Sequence, residues 1–282
     1  MSDFEPVIAV ITSVLNGAAT LPRLLDSLAS QSSRRFEHIV MDGGSTDGTI
    51  EILTDRAGAN TYWESAPDRG IYNAWNKALE HVSGRWCCFL GADDFLWDSE
   101  VVARAVPHLT EAENAVGIVY GLTHVVDAAG RRLETLGEPW PQARVKMREN
   151  MALPNPSTFF DRHLFETLGG FDESYRIAGD YAFALRALGE TGARFIDGLD
   201  VAGMQEGGYS LSRRYAVATV HEVLRARREH GVSRWPVWCH PRLLRVRIQA
   251  GLARLLGDRA ALRLANTYRS AVGKPPLREH EP

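Results

Sequence analysis

The chain has 282 residues, of which 45% are hydrophobic and 24% charged, with three cysteines and a formal net charge of −3. These are the proportions of a water-soluble globular protein, long enough for one large domain or two small ones. No apolar run is long enough to span a bilayer, the acidic N-terminus MSDFEP does not read as a signal peptide, and Cys87, Cys88 and Cys239 fit neither a disulfide framework nor a zinc site, so a reducing cytoplasm is expected. The small net charge conceals an asymmetry, since residues 1–211 sum to −13 and residues 212–282 to +10. A basic tail on an acidic body suggests a surface for something anionic, or a tail that packs on its own body.

The first β-branched run, Val7 to Val14, reads as a buried strand ending in the polar, turn-prone TSVLNG. A helix is predicted next, with Thr20 as N-cap, Pro22 in the first turn and Leu21, Leu24, Leu25 and Leu28 at helical spacing. Glu37 to Asp42 is a second strand, running into the loop DGGSTDG and a helix from Thr49. Thr61 to Ser65 is a short third strand, followed by Pro67-Asp68-Arg69-Gly70 and a helix over Ile71 to Val82. Trp86 to Leu90 then reads as a strand buried on both faces, ending in Gly91-Ala92-Asp93-Asp94.

Four strands alternating with helices predict a parallel α/β sheet with right-handed crossovers. Ligands of such sheets bind outside the carboxyl ends of the strands, where each of these strands carries small and acidic residues. Asp93 and Asp94 are therefore placed to hold a divalent cation through oxygen, or alternatively to form a turn or cap the next helix. DGGSTDG matches neither a dinucleotide fingerprint nor a P-loop. It is a turn where backbone can approach a ligand, with Asp42 able to accept from a base or ribose, although Asp42 and Asp47 are also common turn and cap residues.

Taken together, ITSVLNGAATLPRLLDSLASQS, HIVMDGGSTDGTIEIL, SAPDRGIYNAWNKALEHVSGRWCCFLGADDFLW and PNPSTFFDRHLFETLGGFDESYRIAGDYAFALRAL resemble the family-2 glycosyltransferases of GT-A fold. The similarity runs over about residues 5 to 211 and looks closest to the branch that builds bacterial exopolysaccharides such as colanic acid. It implies a nucleoside-diphosphate-sugar donor, a UDP-sugar by expectation, a divalent metal (Mn²⁺ or Mg²⁺) and inversion at the anomeric carbon. It also implies a GT-A domain over residues 1–211, with a nucleotide-binding half at about 5–105 and an acceptor-binding half at about 106–211.

Carried onto this sequence, the resemblance implies that Thr12, Asp42 and Asp68 line the nucleoside pocket. Asp94 contacts the metal that bridges the diphosphate, and Asp93 contacts the ribose or the metal's surroundings. Ala92 stands where the fuller acidic motif has its first acid. Asp180 matches the catalytic base. Its place at a predicted helix start favours the ionised carboxylate, and the competing reading is a plain N-cap. Gly207-Gly208-Tyr209-Ser210 resembles an element that approaches phosphate, with Arg213 or Arg214 as cations, or is a tight turn before a basic helix face. Asn155 stands where relatives often carry a His, and an amide can hydrogen-bond an acceptor sugar but cannot exchange protons near neutral pH.

Beyond residue 211 a basic helical extension is expected, with helices over Arg213 to His230 and Arg242 to Thr267. The second has Leu244, Ile248, Leu252 and Leu255 on one side. It suits an anionic membrane surface, where lipid-linked acceptors reside, and equally suits packing on the acidic body or on another chain. Nucleic acid is not expected as a partner, because Trp235, Trp238 and Tyr268 form no stacking motif and the body is acidic. The sequence thus points to a cytoplasmic inverting transferase moving a sugar to a saccharide or lipid-linked hydroxyl. Two rivals stay open: a nucleotidyltransferase, whose basic Gly-rich loop after the first strand is lacking in TSVLNGAATLPR, and a non-catalytic scaffold, from which Asp94 and Asp180 would be expected to be lost.

Overall fold

The structure, a computed structural model, describes residues 5–206, 216–232 and 267. The first half alternates as expected: β1 (Ile8–Val14), α1 (Leu21–Ala29), β2 (Phe36–Asp42), α2 (Thr49–Arg56), β3 (Thr61–Ser65), α3 (Ile71–Leu79) and β4 (Trp86–Phe89). Then come β5 (Phe95–Leu96), α4 (Val101–Ala112), β6 (Ile118–Val126), β7 (Arg132–Leu136) and α5 (Trp140–Met147). A short 3₁₀ turn, Asn155–Ser157, leads into β8 (Thr158–Asp161), α6 (Arg162–Leu168), α7 (Gly179–Glu190), β9 (Ala193–Gln205) and α8 (Ala216–Glu229).

The strands form one sheet in the order β3-β2-β1-β4-β8-β6-β9-β5, with β7 beside β6. Strands β3, β2, β1 and β4 are mutually parallel. Beyond β4 the sheet is mixed: β8 enters antiparallel between β4 and β6, while β9 runs parallel to β6. The register aligns Val14 with Asp42 and Asp42 with Ser65, so the carboxyl ends of β1, β2 and β3 finish level. The two-residue β5, directly after Asp93-Asp94, pairs with Ala202 and Gly203 at the far end of β9.

Alternation along the strands divides the core into two. Ala9, Ile11, Cys87 and Phe89 face α3, α6 and α7, whereas Ile8, Val10, Trp86 and Cys88 face α1 and α4. This is the double burial expected of a central strand. The first face holds a slab of rings, in which Phe165 stacks on Phe183 at 4.2 Å and Trp75 packs on Phe89 and Phe171 at 4.6 and 5.2 Å. Each such buried ring contributes about 1.5–3 kcal/mol from area alone. That slab is the floor on which α3 and α7 meet.

Element ends differ slightly from expectation. Helix α3 stops at Leu79 rather than Val82. Thr20 occupies the N-cap of α1 but makes no side-chain cap bond, its hydroxyl lying 3.4 Å from the Gly17 carbonyl instead. Among the described residues no helix is long and apolar enough to cross a membrane. Cys87 and Cys88 are buried free thiols. Cys239 and the expected helix Arg242 to Thr267, apart from residue 267, lie outside the described residues.

Candidate active site

The loops leaving β1, β2, β3 and β4 share the carboxyl edge of the sheet. Asp42, at the end of β2, is 2% exposed, and its carboxylate organises the loop after it. Oδ2 accepts from the amides of Gly44 (3.0 Å) and Ser45 (2.9 Å) and from the Ser65 hydroxyl (2.6 Å), while Oδ1 accepts from the Ser45 hydroxyl. Burial alone would raise this group, but those donors outweigh it and hold it below the usual carboxylate range. Asp47 is likewise a loop residue: it accepts from the Ala18 amide at 3.0 Å and the Thr49 hydroxyl at 2.6 Å. Asp68 faces Gly43 so closely that a Cβ there would meet its Oδ2 at 2.7 Å. Leu15 reaches the same spot and is 61% exposed. It is an apolar platform on a polar edge, and the sequence reading missed it.

Thr12 is fully buried, its hydroxyl 3.2 Å from Nε2 of His38, so its side chain belongs to the core face of β1. Burial drives His38 down to about 3, so that imidazole is neutral.

Asp93 and Asp94 converge. A Cβ placed on Gly91 would meet Asp93 Oδ1 at 2.8 Å and Asp94 Oδ2 at 2.9 Å, so only the bare glycine leaves room for both carboxylates on one side of it. Asp94 is 7% exposed and accepts from the Gly91 amide at 3.1 Å. Burial, and then the neighbouring Asp93 charge, push Asp94 well above the usual range, and burial raises Asp93 as well. Two crowded, desolvated acids are a donor set that suits a divalent cation. Among the described residues no third His, Cys, Asp or Glu joins them. That fits an ion completing its shell with phosphate oxygens and water, as Mg²⁺ commonly does.

Asp180 lies in the first turn of α7, whose N-cap is Ala178, so it is not itself the cap. Gly179 packs flat on the Tyr72 ring, where a Cβ would come within 2.7 Å of ring carbons. The Tyr72 hydroxyl accepts from the Gly179 amide at 2.8 Å and lies 3.4 Å from Asp180 Oδ1, to which it donates. The Tyr181 amide donates to the same oxygen at 2.8 Å. The helix start was expected to favour the ionised carboxylate. Burial prevails, raising Asp180 to about 6 despite the Tyr181 amide and Tyr72 bonds that pull the other way. A carboxyl tuned to that value is ionised at neutral pH and more basic than an ordinary aspartate.

The segment before α7 is held from both sides. Glu173 accepts from Arg69 (2.6 Å), Asn73 (3.1 Å) and Asn76 (3.2 Å), tying it to α3 and to the loop of Asp68. From α8, Glu222 accepts from the amides of Arg176, Ile177 and Ala178, and Glu229 accepts from the Tyr175 hydroxyl at 2.6 Å. The signals for these contacts are tertiary; only Gly179, directly before Asp180, hints in the sequence at a close approach.

Contacts therefore link Asp42, Gly43, Asp68, α3, Tyr72 and Asp180 along one edge. Asn155 joins that edge at the end of β4, its amide nitrogen 3.4 Å from the Phe89 carbonyl and its side-chain oxygen buried without a partner. Gly207-Gly208-Tyr209-Ser210, Arg213 and Arg214 lie outside the described residues. A wide groove of about 1010 Å³ opens elsewhere, between Arg85, Asp161, Arg162 and Thr191. Arg85 pairs there with Asp161 and Glu113, and Arg162 with Glu166.

Comparison with known proteins bears on the family and the fold. The description "Glycosyl transferase family 2" matches residues 9–166. A "PGL/p-HBAD biosynthesis glycosyltransferase" of Mycobacterium bovis is 33% identical over 186 residues, 65% of this chain and 70% of that relative. Among solved structures, S. aureus TarS 1-349 in complex with UDP-GlcNAc superposes with TM-score 0.62 at 17% identity, covering 95% of this chain and 92% of that one. A longer TarS chain is covered over 39% of its length. The mannosyltransferase PcManGT of Pyrobaculum calidifontis, in complex with GDP-Man and Mn²⁺, superposes with TM-score 0.60 at 20% identity, over 97% of this chain and 77% of that one. At these identities the solved structures establish the fold, which is GT-A.

Proposed function

The chain belongs to glycosyl transferase family 2, and from that premise we propose that it is an inverting, metal-assisted enzyme moving a sugar from a nucleoside-diphosphate donor to a saccharide or lipid-linked hydroxyl. The observation that carries this reading is the division of labour among the edge acids. Asp93 and Asp94 crowd together at Gly91, while Asp180 sits apart on α7, raised to about 6 and steered by Tyr72. A pair that suits a cation and a single tuned base are the two things that displacement of a nucleoside diphosphate requires.

Asp180 takes the proton of the acceptor hydroxyl as that oxygen attacks the anomeric carbon. The bond from that carbon to the diphosphate breaks with its electron pair on the leaving oxygen, and the proton later returns to water. Attack opposite the leaving group turns an α-linked donor into a β-linked product. The hydrogen bonds from Tyr72 and Tyr181 both reach Oδ1, and Oδ2 is the oxygen proposed for the incoming hydroxyl. Asp94, with Asp93 beside it, would hold a divalent cation, Mn²⁺ or Mg²⁺, supplying positive charge to the diphosphate. Thr12, Asp68 and the Asp42 loop form the nucleoside side, with Leu15 as an apolar face for the base.

UDP is the proposed nucleotide, in keeping with the TarS complex; the GDP-Man complex of PcManGT makes GDP the comparison to run. Residues 1–211 act in this reading as the transferase domain and 212–282 as its basic extension, with peripheral contact between residues 242–267 and an anionic membrane as the route to a lipid-linked acceptor. A cytoplasmic setting and a role in polysaccharide or glycoconjugate synthesis, whether of the exopolysaccharide type or of the type named for the mycobacterial relative, complete the proposal. The deciding experiment is calorimetric titration with nucleoside diphosphates in Mn²⁺ or Mg²⁺ and then in chelator. Metal-dependent binding of UDP or GDP supports the reading. Absence of binding to every diphosphate in both conditions overturns it.

A further inference from the structure

Helix α7 begins without a side-chain cap, since Ala178 occupies the N-cap position. The amides leading into and opening it are nevertheless engaged at five positions. Those of Arg176 (3.0 Å), Ile177 (2.9 Å) and Ala178 (2.9 Å) donate to the two oxygens of Glu222, that of Gly179 donates to Tyr72, and that of Tyr181 to Asp180 itself. Glu222 is thus a cap delivered from another helix, an anion at a helix start where donors are unpaired and the dipole favours negative charge. Its helix is well seated: Val223 and Ala226 are buried in the ring-rich core. On the same face, three and seven residues on, Arg225 pairs with Asp172 at 3.0 Å and lies over the Tyr175 ring at 4.1 Å, while Glu229 accepts from Tyr175. One face of α8 therefore grips residues 172–178.

We propose that Glu222 is a positioning residue of the transfer reaction, fixing the turn Arg176–Ala178 so that the carboxylate two residues later meets the acceptor hydroxyl at a set angle. The inference rests on the reading of Asp180 as the base. Glu222 touches neither donor nor acceptor; it acts through the backbone that carries Asp180. Gln is a poor replacement, because its amide nitrogen would face one of the three backbone donors.

The test uses the full chain with Glu222→Gln and Glu222→Ala. Release of nucleoside diphosphate from a panel of UDP- and GDP-sugars in Mn²⁺ is measured beside nucleoside-diphosphate affinity and amide hydrogen exchange. A misaligned base predicts kcat lower by about tenfold or more, with donor KM and diphosphate affinity within about twofold of wild type. Exchange should accelerate at the amides of 176–178. Wild-type kcat in both variants, or a loss of donor affinity matching the loss of kcat, would overturn the proposal. Should a variant fail to fold, the wild-type chain decides, for amides at 176–178 exchanging as fast as exposed loop amides would also overturn it. Asp180→Asn separates the two ideas. Normal turnover in that variant removes the base assignment, whereas an inactive Asp180→Asn beside normal Glu222 variants removes only the clamp.

Discussion

The Tyr72 hydroxyl stands between Gly179 and Asp180, accepting from the amide of the first at 2.8 Å and donating to the carboxylate of the second across 3.4 Å. Tyr72→Phe keeps the ring that packs on Gly179 and deletes both bonds. The donated bond lowers Asp180, so its loss should raise the carboxyl further above about 6. The acid limb of the kcat profile is then expected to move to higher pH, with folding stability lower by about 1 kcal/mol. Rates measured from pH 5 to 9 check this, and an unmoved limb would show that Tyr72 does not tune the base.

Asp180 makes a second, opposite prediction for stability. Its folded-state value of about 6 lies above the ordinary carboxyl value of 3.8. Between those values the folded chain binds more protons than the unfolded one, so this group's unfavourable contribution builds as pH rises through that window and is complete above the folded value. Asp180→Asn removes the buried charge and keeps an acceptor for Tyr72 and the Tyr181 amide. At pH 8 the variant should be more stable than wild type by about 1–3 kcal/mol, the gain vanishing near pH 4. Urea unfolding across that range is the measurement; a variant less stable at pH 8 contradicts the burial argument.

At Asp94 the same logic separates stability from metal binding. Burial and Asp93 raise this carboxyl, so Asp94→Asn should raise the melting midpoint of the metal-free chain at pH 8. Mn²⁺ should raise the wild-type midpoint and leave that of Asp94→Asn unchanged. Equal Mn²⁺ shifts in the two proteins would move the cation site elsewhere.

For Asp42 the expected sign reverses. Its oxygens collect two amide and two hydroxyl donors, and those bonds hold it low. Its stabilisation is present above the unfolded value and lost as pH falls through the lower folded one. Asp42→Ala should cost about 2–4 kcal/mol at pH 7 by orphaning donors around Gly44 and Ser45. Chemical denaturation at pH 7 and pH 3 checks both magnitude and trend.

A last substitution tests close packing at the base. Gly179→Ala would place a methyl 2.7 Å from the Tyr72 ring. Since ring and helix are both set in the core, about 1–3 kcal/mol of stability should be lost. Turnover should fall with diphosphate affinity retained, as measured by calorimetry beside the rate.

The parts legible in the sequence are those written in local periodicity. The β-branched run of β1, the leucine spacing of α1 and the aromatic run of β4 each announce their element, and the acids after those strands announce the edge. Asp180 could be located at a helix start, but not its elevated value, because that comes from burial in the folded chain, where Tyr72 of α3 lies beside it. The antiparallel entry of β8 between β4 and β6 is equally unreadable, since pairing partners are chosen across the fold and not by neighbours in the chain. At Thr12 the strand is legible, while the contact its side chain makes, with His38 of β2, depends on register.

The double grip on residues 170–178 has a consequence for the order in which the molecule matures. On the α3 side, Asn73 and Asn76 wait for Glu173; on the other, the grip waits for Glu222, Arg225 and Glu229. The edge made by β1, β2 and β3 is joined by strands that pair with one another, and the Asp42 carboxylate draws its donors from Gly44, Ser45 and Ser65. Every donor to the Asp42 carboxylate has therefore been synthesised by Ser65, whereas the second set of partners of residues 172–178 lies on α8. The loop of Asp42 is thus closed by contacts from neighbouring strands, and the segment before Asp180 by contacts from two separate helices.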